Sequence, residues 1–197
     1  ASTYTFQGGS AIVSPTSNAS YTVVGASTAG CVSSNTAVSS VTVNATPTVS
    51  VNSGAICSGQ SFTLVPSGAS TYTISGGSSI VAPTSNTSYS VTGTSVAGCA
   101  SSNTAVSSVT VNVTPTVSVN SGAICPSQSF TIVPSGATTY TISGGSSIVT
   151  PTSNASYSVT GTSASGCLSS NTAVSSVTVN SIPTVSAGND ITMKISR

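Results

Sequence analysis

The sequence predicts an all-β chain of tandem sandwiches, and three observations lead there. The 68 residues Pro47–Thr114 return as Pro115–Ile182 with eleven substitutions, so the chain is a repeat array. Each copy is cut into short runs of alternating apolar and polar side chains by turn residues such as Ser53-Gly54, Pro66 and Gly76-Gly77. No segment sustains a 3.6-residue apolar period, whereas Val, Ile and Tyr, which suit a pleated surface, stand among Ser and Thr throughout.

Taken in order from Pro47, Thr48–Asn52 places Val49 and Val51 on one face, and Ser53-Gly54 reads as a turn. Ser61–Val65 points Phe62 and Leu64 inward before Pro66 and Ser67-Gly68 end the run. Ser70–Ser75 alternates through Tyr72 and Ile74, Gly76-Gly77 makes a hairpin turn, and Ser79–Ala82 leads to Pro83. Ser88–Thr92 uses Tyr89 and Val91. Thr104–Asn112 carries Val106, then Val109 and Val111, and this change of parity at Ser107-Ser108 predicts a β-bulge. Six or seven such strands per repeat predict an immunoglobulin-like sandwich repeated end to end. A β-helix is the structural rival, and Pro and Gly punctuation over so long a period fits it less well.

The repeat sets the domain plan. Residues 1–46 match Ala69–Thr114 and form an incomplete repeat without opening strands; 47–114 and 115–182 are whole repeats; 183–197 begin a fourth. A repeat of this size buries only about 60% of its unfolded surface and needs a staple or a neighbour. Cysteines offer the staple. Cys57 and Cys99 stand 42 residues apart, and Cys125 and Cys167 repeat that spacing, so pairing within each repeat is the simplest expectation. Metal binding needs clustered thiols or imidazoles, which one pair per repeat does not provide. Disulfides imply an oxidising, extracellular setting. Both cysteines of a pair have loop-like neighbours, so the bridge is expected between loops or strand ends. Cys31 is the odd thiol, its partner expected in the missing opening third.

Charge excludes whole classes of function. Asp190, Lys194 and Arg197 are the only charged side chains, and there is no His. Without a basic patch the electrostatic drive for nucleic-acid binding is missing. Acid–base and metal-assisted catalysis lack imidazoles and paired carboxylates, and no Ser or Thr has a base to activate it; an enzyme is not expected, nor a cofactor. No apolar run approaches the roughly 18 residues of a membrane span, and no signal peptide is read, so a processed, soluble segment without membrane insertion is expected. Thr-x-Thr stretches such as Thr71-Tyr72-Thr73 read as the wet face of a sheet rather than an ice-binding array. Asn18, Asn44, Asn86, Asn112 and Asn154 head matches to the N-glycosylation sequon and are the candidate sites for covalent glycans.

The tail carries the chemistry that residues 1–46 lack. Pro183 and Val185 copy the first strand, and Ile191, Met193 and Ile195 alternate apolar side chains. An open first repeat would expose strand edges that proteins normally cover. The expectation is that Pro183–Arg197 of one subunit completes the first repeat of the next, giving a head-to-tail homopolymer by strand addition.

Cys near the first strand region, then Pro83-Thr84-Ser85-Asn86-Thr87-Ser88-Tyr89-Ser90-Val91-Thr92, then Gly98-Cys99 and a Val-rich closing strand, together resemble the immunoglobulin-like repeats of very large secreted surface proteins of Bacteroidetes. Pro183–Thr192 resembles the start of such a repeat. The resemblance implies adhesins or surface fibres exported by type IX secretion, many of them glycosylated. Two features depart from it: Tyr72 stands where Trp is frequent, and there is no C-terminal sorting domain. The sequence reading is therefore a structural subunit of an extracellular filament. Its alternative is the stalk fragment of a repetitive adhesin that engages glycans or surfaces through loops such as Ser58-Gly59-Gln60 and Pro126-Ser127-Gln128.

Overall fold

A computed structural model describes residues 1–186 and Gly188. Among the described residues it is all-β, with no helix and hence none long and apolar enough to cross a membrane. The chain forms two compact units, one of Ala1–Ser53, Thr63–Ile80 and Ser88–Ser108, the other of Gly54–Phe62, Val81–Thr87 and Val109–Arg197.

In the first unit, β1 (Thr3–Phe6), β2 (Ala19–Ala26) and β3 (Ala37–Val41) form an antiparallel meander in the order β1-β2-β3, with Tyr4 opposite Gly25 and Tyr21 opposite Ser39. β4 (Ser50–Val51), which precedes β5 (Gly54–Cys57) and β6 (Phe62–Thr63), pairs with β7 (Pro66–Ser67). β8 (Thr71–Ile74) is followed by β9 (Ile80–Val81) and pairs with β10 (Thr87–Thr94). Gly76-Gly77 turns the chain between strands that pair elsewhere, β8 with β10 and β9 with β6, rather than closing a hairpin; both residues take positive φ, 90° and 77°, and Gly77 N–H donates to the Ile74 carbonyl at 3.0 Å. Val49, Leu64 and Val91 are the buried apolar side chains of this unit.

The second unit contains the third repeat whole. After β11 (Ala105–Asn112) come β12 (Ser118–Val119), β13 (Gly122–Ile124), β14 (Phe130–Thr131), β15 (Pro134–Ser135), β16 (Thr139–Ile142), β17 (Ile148–Val149), β18 (Ala155–Thr162) and β19 (Ala173–Val179). One sheet has the order β13-β19-β18-β16; β12-β15 and β14-β17 are two-stranded ribbons. Val159 and Val177 from the sheet, and Val117 and Ile132 beside the ribbons, are at most 3% exposed and form the core. Tyr140 closes a corner: its hydroxyl donates to the carbonyl of Ala137 at 2.7 Å and accepts from the Ala137 N–H at 2.9 Å.

Two further expectations are corrected. Gly54 opens a strand rather than completing a turn: β5 runs parallel to the closing strand, Gly54 beside Val109 and Cys57 beside Asn112, and β13 pairs with β19 likewise. Glycine serves close approach here, because a Cβ at Gly54 would meet the Phe62 ring at 2.6 Å, and one at Gly122 the Phe130 ring at 2.7 Å. The expected bulge is also absent. The β18–β19 ladder runs without a break from Ala155↔Val177 to Val159↔Ala173. Its inward residue is Ser175, fully buried, while Val174 is 52% exposed; Ser107 and Val106 behave alike in the second repeat. A serine can face the core because its hydroxyl donates to a backbone carbonyl, Ser175 to Asn120 at 2.7 Å and Ser107 to Asn52 at 2.6 Å.

Candidate functional site

The chemistry of this chain lies in its cysteines, and strand direction decides which of them can meet. In the third repeat, β13 ends beside Val179, so Cys125 follows at the end of β19 from which the chain leaves the repeat. Cys167 precedes β19 and lies next to the Thr162↔Leu168 bridge, at the opposite end. Seven strand residues rise about 20 Å between those ends, whereas a disulfide needs Cα atoms within about 7 Å. Pairing within a repeat is thereby ruled out.

The bridge formed is Cys57–Cys167, with Cα atoms 5.6 Å apart and a sequence separation of 110. The expected pairs Cys57–Cys99 and Cys125–Cys167 are corrected accordingly: Cys99 and Cys125 are free, as is Cys31. The bridge joins the exit of one repeat to the entrance of the next. Cys57 sits beside Asn112, and Ser58 donates its N–H to the Asn112 carbonyl at 2.8 Å. Cys167 sits where Ser170 donates its N–H to the carbonyl of Pro115, the first residue of the third repeat, at 2.9 Å.

Both halves of this junction are set by local chemistry. Cys167 ends a turn in which Ser163 N–H donates to the Cys167 carbonyl at 2.9 Å and Cys167 N–H donates to Ser163 Oγ at 3.1 Å, with Gly166 at φ 80°. The same turn recurs at Ser27–Cys31 and Ser95–Cys99, with Gly30 and Gly98 both at φ 81°. Cys57 opens a four-residue turn closed by Gln60 N–H donating to the Cys57 carbonyl at 3.0 Å, with Gly59 at φ 85°. Cys125 opens its counterpart, where Gln128 N–H donates at 3.1 Å and Ser127 takes φ 67°. Pro126 has no N–H to match that of Ser58, so β13 stops one residue short of the extent of β5. The loops Ser58-Gly59-Gln60 and Pro126-Ser127-Gln128, expected as recognition loops, are these cysteine-bearing turns.

Other sequence candidates fall as follows. Asn18, Asn86 and Asn154 are exposed, and each Oδ1 accepts the N–H of a closing-strand valine, Val43, Val111 and Val179, at 2.8 Å. Asn44 is exposed, and Asn112 is half-buried at the end of β11. Of the tail candidates, Pro183 is exposed and Val185 is 94% exposed; Ile191, Met193 and Ile195 lie outside the described residues. Among the described residues no group of three His, Cys, Asp or Glu comes together. Sequence reasoning missed one clamp. Asn103 accepts the Val49 N–H at 2.9 Å and donates to the Val49 carbonyl at 2.8 Å, and Asn171 holds Val117 the same way. An Asn repeating 54 residues after a buried Val was its only signal.

The first repeat has Asn35 at the clamp position, and the concavity of about 260 Å³ beside it is lined by Tyr4, Val23, Gly25 and Asn35 among others. A second concavity, about 130 Å³, lies among Phe6, Val13, Tyr21, Val23 and Val41.

No protein-family model and no curated protein matches the chain. Among solved structures it is similar to a Ca2+-stabilized adhesin of an Antarctic bacterium that binds ice, at 19% identity and TM-score 0.41, covering 83% of this chain and 57% of that one. It is also similar to a mouse clustered protocadherin, at 10% identity and TM-score 0.36 over 84% of this chain and 77% of that one. A titin I-band fragment matches at 8% identity and TM-score 0.35 over 84% and 75%. Likeness of this depth carries no functional argument.

Proposed function

We propose that this chain is a non-enzymatic structural segment of an extracellular surface protein, the stalk of an adhesin-type array in which one sandwich is stapled to the next, as the second repeat is here to the third. The observation that carries this reading is the Cys57–Cys167 bridge. A bond from the exit of one repeat to the entrance of the following one adds nothing to a catalytic site, and it resists tension between repeats. Near-identical repeats supply length rather than a distinctive surface, and the disulfide implies an oxidising compartment. Covalent glycans on the exposed Asn18, Asn44, Asn86 and Asn154 would keep so nearly uncharged a surface soluble. Single-molecule stretching tests it: reduction should release the 110-residue loop, adding on the order of 370 Å of contour length at about 3.4 Å per residue. Equal contour lengths in oxidised and reduced chains would contradict it.

A filament built by strand donation is the second reading, and the two concavities of the first repeat favour it. Val185 corresponds by the repeat to Val49 and Val117, both 3% exposed, yet is itself 94% exposed. In the second repeat Val49 packs where a Cβ on Gly93 would meet it at 2.6 Å. Gly25 and Asn35 offer the same seat and clamp to Val185 of another subunit. Light scattering of the full chain and of a chain ending at Ile182 tests this: polymers from the first and monomers from the second support donation, and two monomers contradict it.

A further inference from the structure

We propose that Cys125 of one copy and Cys31 of a second copy form a disulfide that locks exit to entrance between subunits. The proposal deepens the head-to-tail reading and rests on it for the meeting of the two ends. Its template is inside the molecule. Cys57 and Cys125 are the same position of successive repeats, as are Cys31, Cys99 and Cys167, and the bond formed joins the first type to the second type one repeat later. Applied to the third repeat, the rule gives Cys125 a partner at the entrance of the repeat that follows. In a head-to-tail assembly that repeat is residues 1–46 of the next copy, whose entrance cysteine is Cys31.

Both half-sites hold the turns found at the bonded pair. The turn around Cys31 has the hydrogen bonds of that around Cys167, with Ser27 N–H on the Cys31 carbonyl at 2.9 Å and Cys31 N–H on Ser27 Oγ at 3.2 Å. The turn around Cys125 has the closure of that around Cys57. Burial differs in the direction an uncovered junction requires: Cys167 is 0% exposed in its bridge, whereas Cys31 and Cys125 are both exposed. A concavity of about 480 Å³ lined by Pro126, Asn154, Val179 and Asn180 lies at this exit. Cys99 has a different fate. Its Sγ lies 3.9 Å from the carbonyl of Asn44, at the exit of the first repeat, and the residue in register to oppose it in a donated tail is Met193, which has no thiol.

The bond forms by exchange with a small disulfide oxidant such as oxidised glutathione. The Cys125 sulfur attacks one glutathione sulfur, breaking its S–S bond and releasing one glutathione thiol. The Cys31 sulfur of the second copy then attacks the mixed disulfide and releases the other. Two protein thiols give up two protons and two electrons, and one disulfide becomes two thiols.

The test is to treat the full chain with oxidised glutathione and separate it on a denaturing, non-reducing gel. A ladder of multiples is expected, with Cys31 joined to Cys125 in the linking peptide. Cys31→Ser and Cys125→Ser should each lose the ladder at least tenfold, Cys99→Ser should keep it, and an equal mixture of Cys31→Ser and Cys125→Ser chains should give dimers only. A ladder surviving in either single variant, a linking peptide containing Cys99, or no ladder from the unsubstituted chain would overturn the proposal. Retention of the Cys57–Cys167 peptide in each variant confirms that it folds. Light scattering in reductant separates the two failures: polymers in reductant with no ladder in oxidant sink the disulfide and leave strand donation standing. Monomers in reductant with a Cys31–Cys125 ladder in oxidant sink donation and leave the disulfide.

Discussion

Ala37–Asn44 and Ala173–Asn180 are the same eight residues, and they end in different states. In the third repeat this stretch is β19, with Ser175 and Val177 at 0% and 2% exposure and β13 hydrogen-bonded along one side. In the first repeat it is β3, which stops at Val41, keeps Ser39 exposed and Val41 half-buried, and among the described residues has only β2 beside it. Identical intrinsic propensity with different burial means that the neighbouring strand, not the strand itself, sets how much of the sandwich is secured. The disulfide extends the same dependence across one junction, since Cys57, the exit cysteine of the second repeat, is bonded to Cys167 of the repeat that follows.

Removing the bridge should do most to break this picture. Cys57→Ser frees a 110-residue loop, and chain entropy alone gives a loss of about 4.7 kcal/mol, read as a fall in the oxidised chain's denaturation midpoint to that of the reduced chain. A midpoint that stays put would mean the junction is not stapled. Next comes the paired valine: Val177→Ala should cost about 2–3 kcal/mol, two methylene equivalents plus a cavity, whereas Val41→Ala should cost under about 1 kcal/mol. Denaturant titration of the two variants gives the contrast directly, and equal losses would show that β3 is as well covered as β19. The serines sharpen it further. Ser175→Ala removes the buried donor to the Asn120 carbonyl and should cost about 1–2 kcal/mol, while Ser39→Ala should stay within about 0.5 kcal/mol. The smallest effect is a gain: Ser127→Gly relieves a non-glycine residue at φ 67°, and thermal unfolding should register about 0.5 kcal/mol of stabilisation after the entropy of glycine is deducted.

Much of the fold was legible because alternation at period two reports which side of a strand is dry. Phe62, Leu64, Tyr72, Ile74, Tyr89 and Val91 all face inward as their spacing implies. Ser107 and Ser175 were misread because alternation counts a serine as polar and exposed, while a hydroxyl aimed at a carbonyl can be buried at little cost. Gly54 and Gly122 were misread for a related reason. Glycine signals a turn and a close approach alike, and only the position of the Phe62 and Phe130 rings separates the two. The cysteine partners were the least legible part of the site. Even spacing within a repeat suggested pairing within it, but spacing carries no direction, and the parallel placement of β5 and β13 sends the two cysteines of one repeat to opposite ends.

Disulfide mapping tests the central claim most directly. Lys194 and Arg197 are the only tryptic sites, so chymotryptic cleavage of the oxidised chain after Tyr and Phe is the practical route. It places Cys31 and Cys57 together on a peptide ending at Phe62, Cys99 and Cys125 together on one ending at Phe130, and Cys167 after Tyr157. A link from the Cys31–Cys57 peptide to the Cys167 peptide that persists in a Cys31→Ser chain, with no link between the Cys99–Cys125 peptide and the Cys167 peptide, is the predicted result. Links from that middle peptide to both of the others would mean that each repeat is stapled to itself, and would contradict the account.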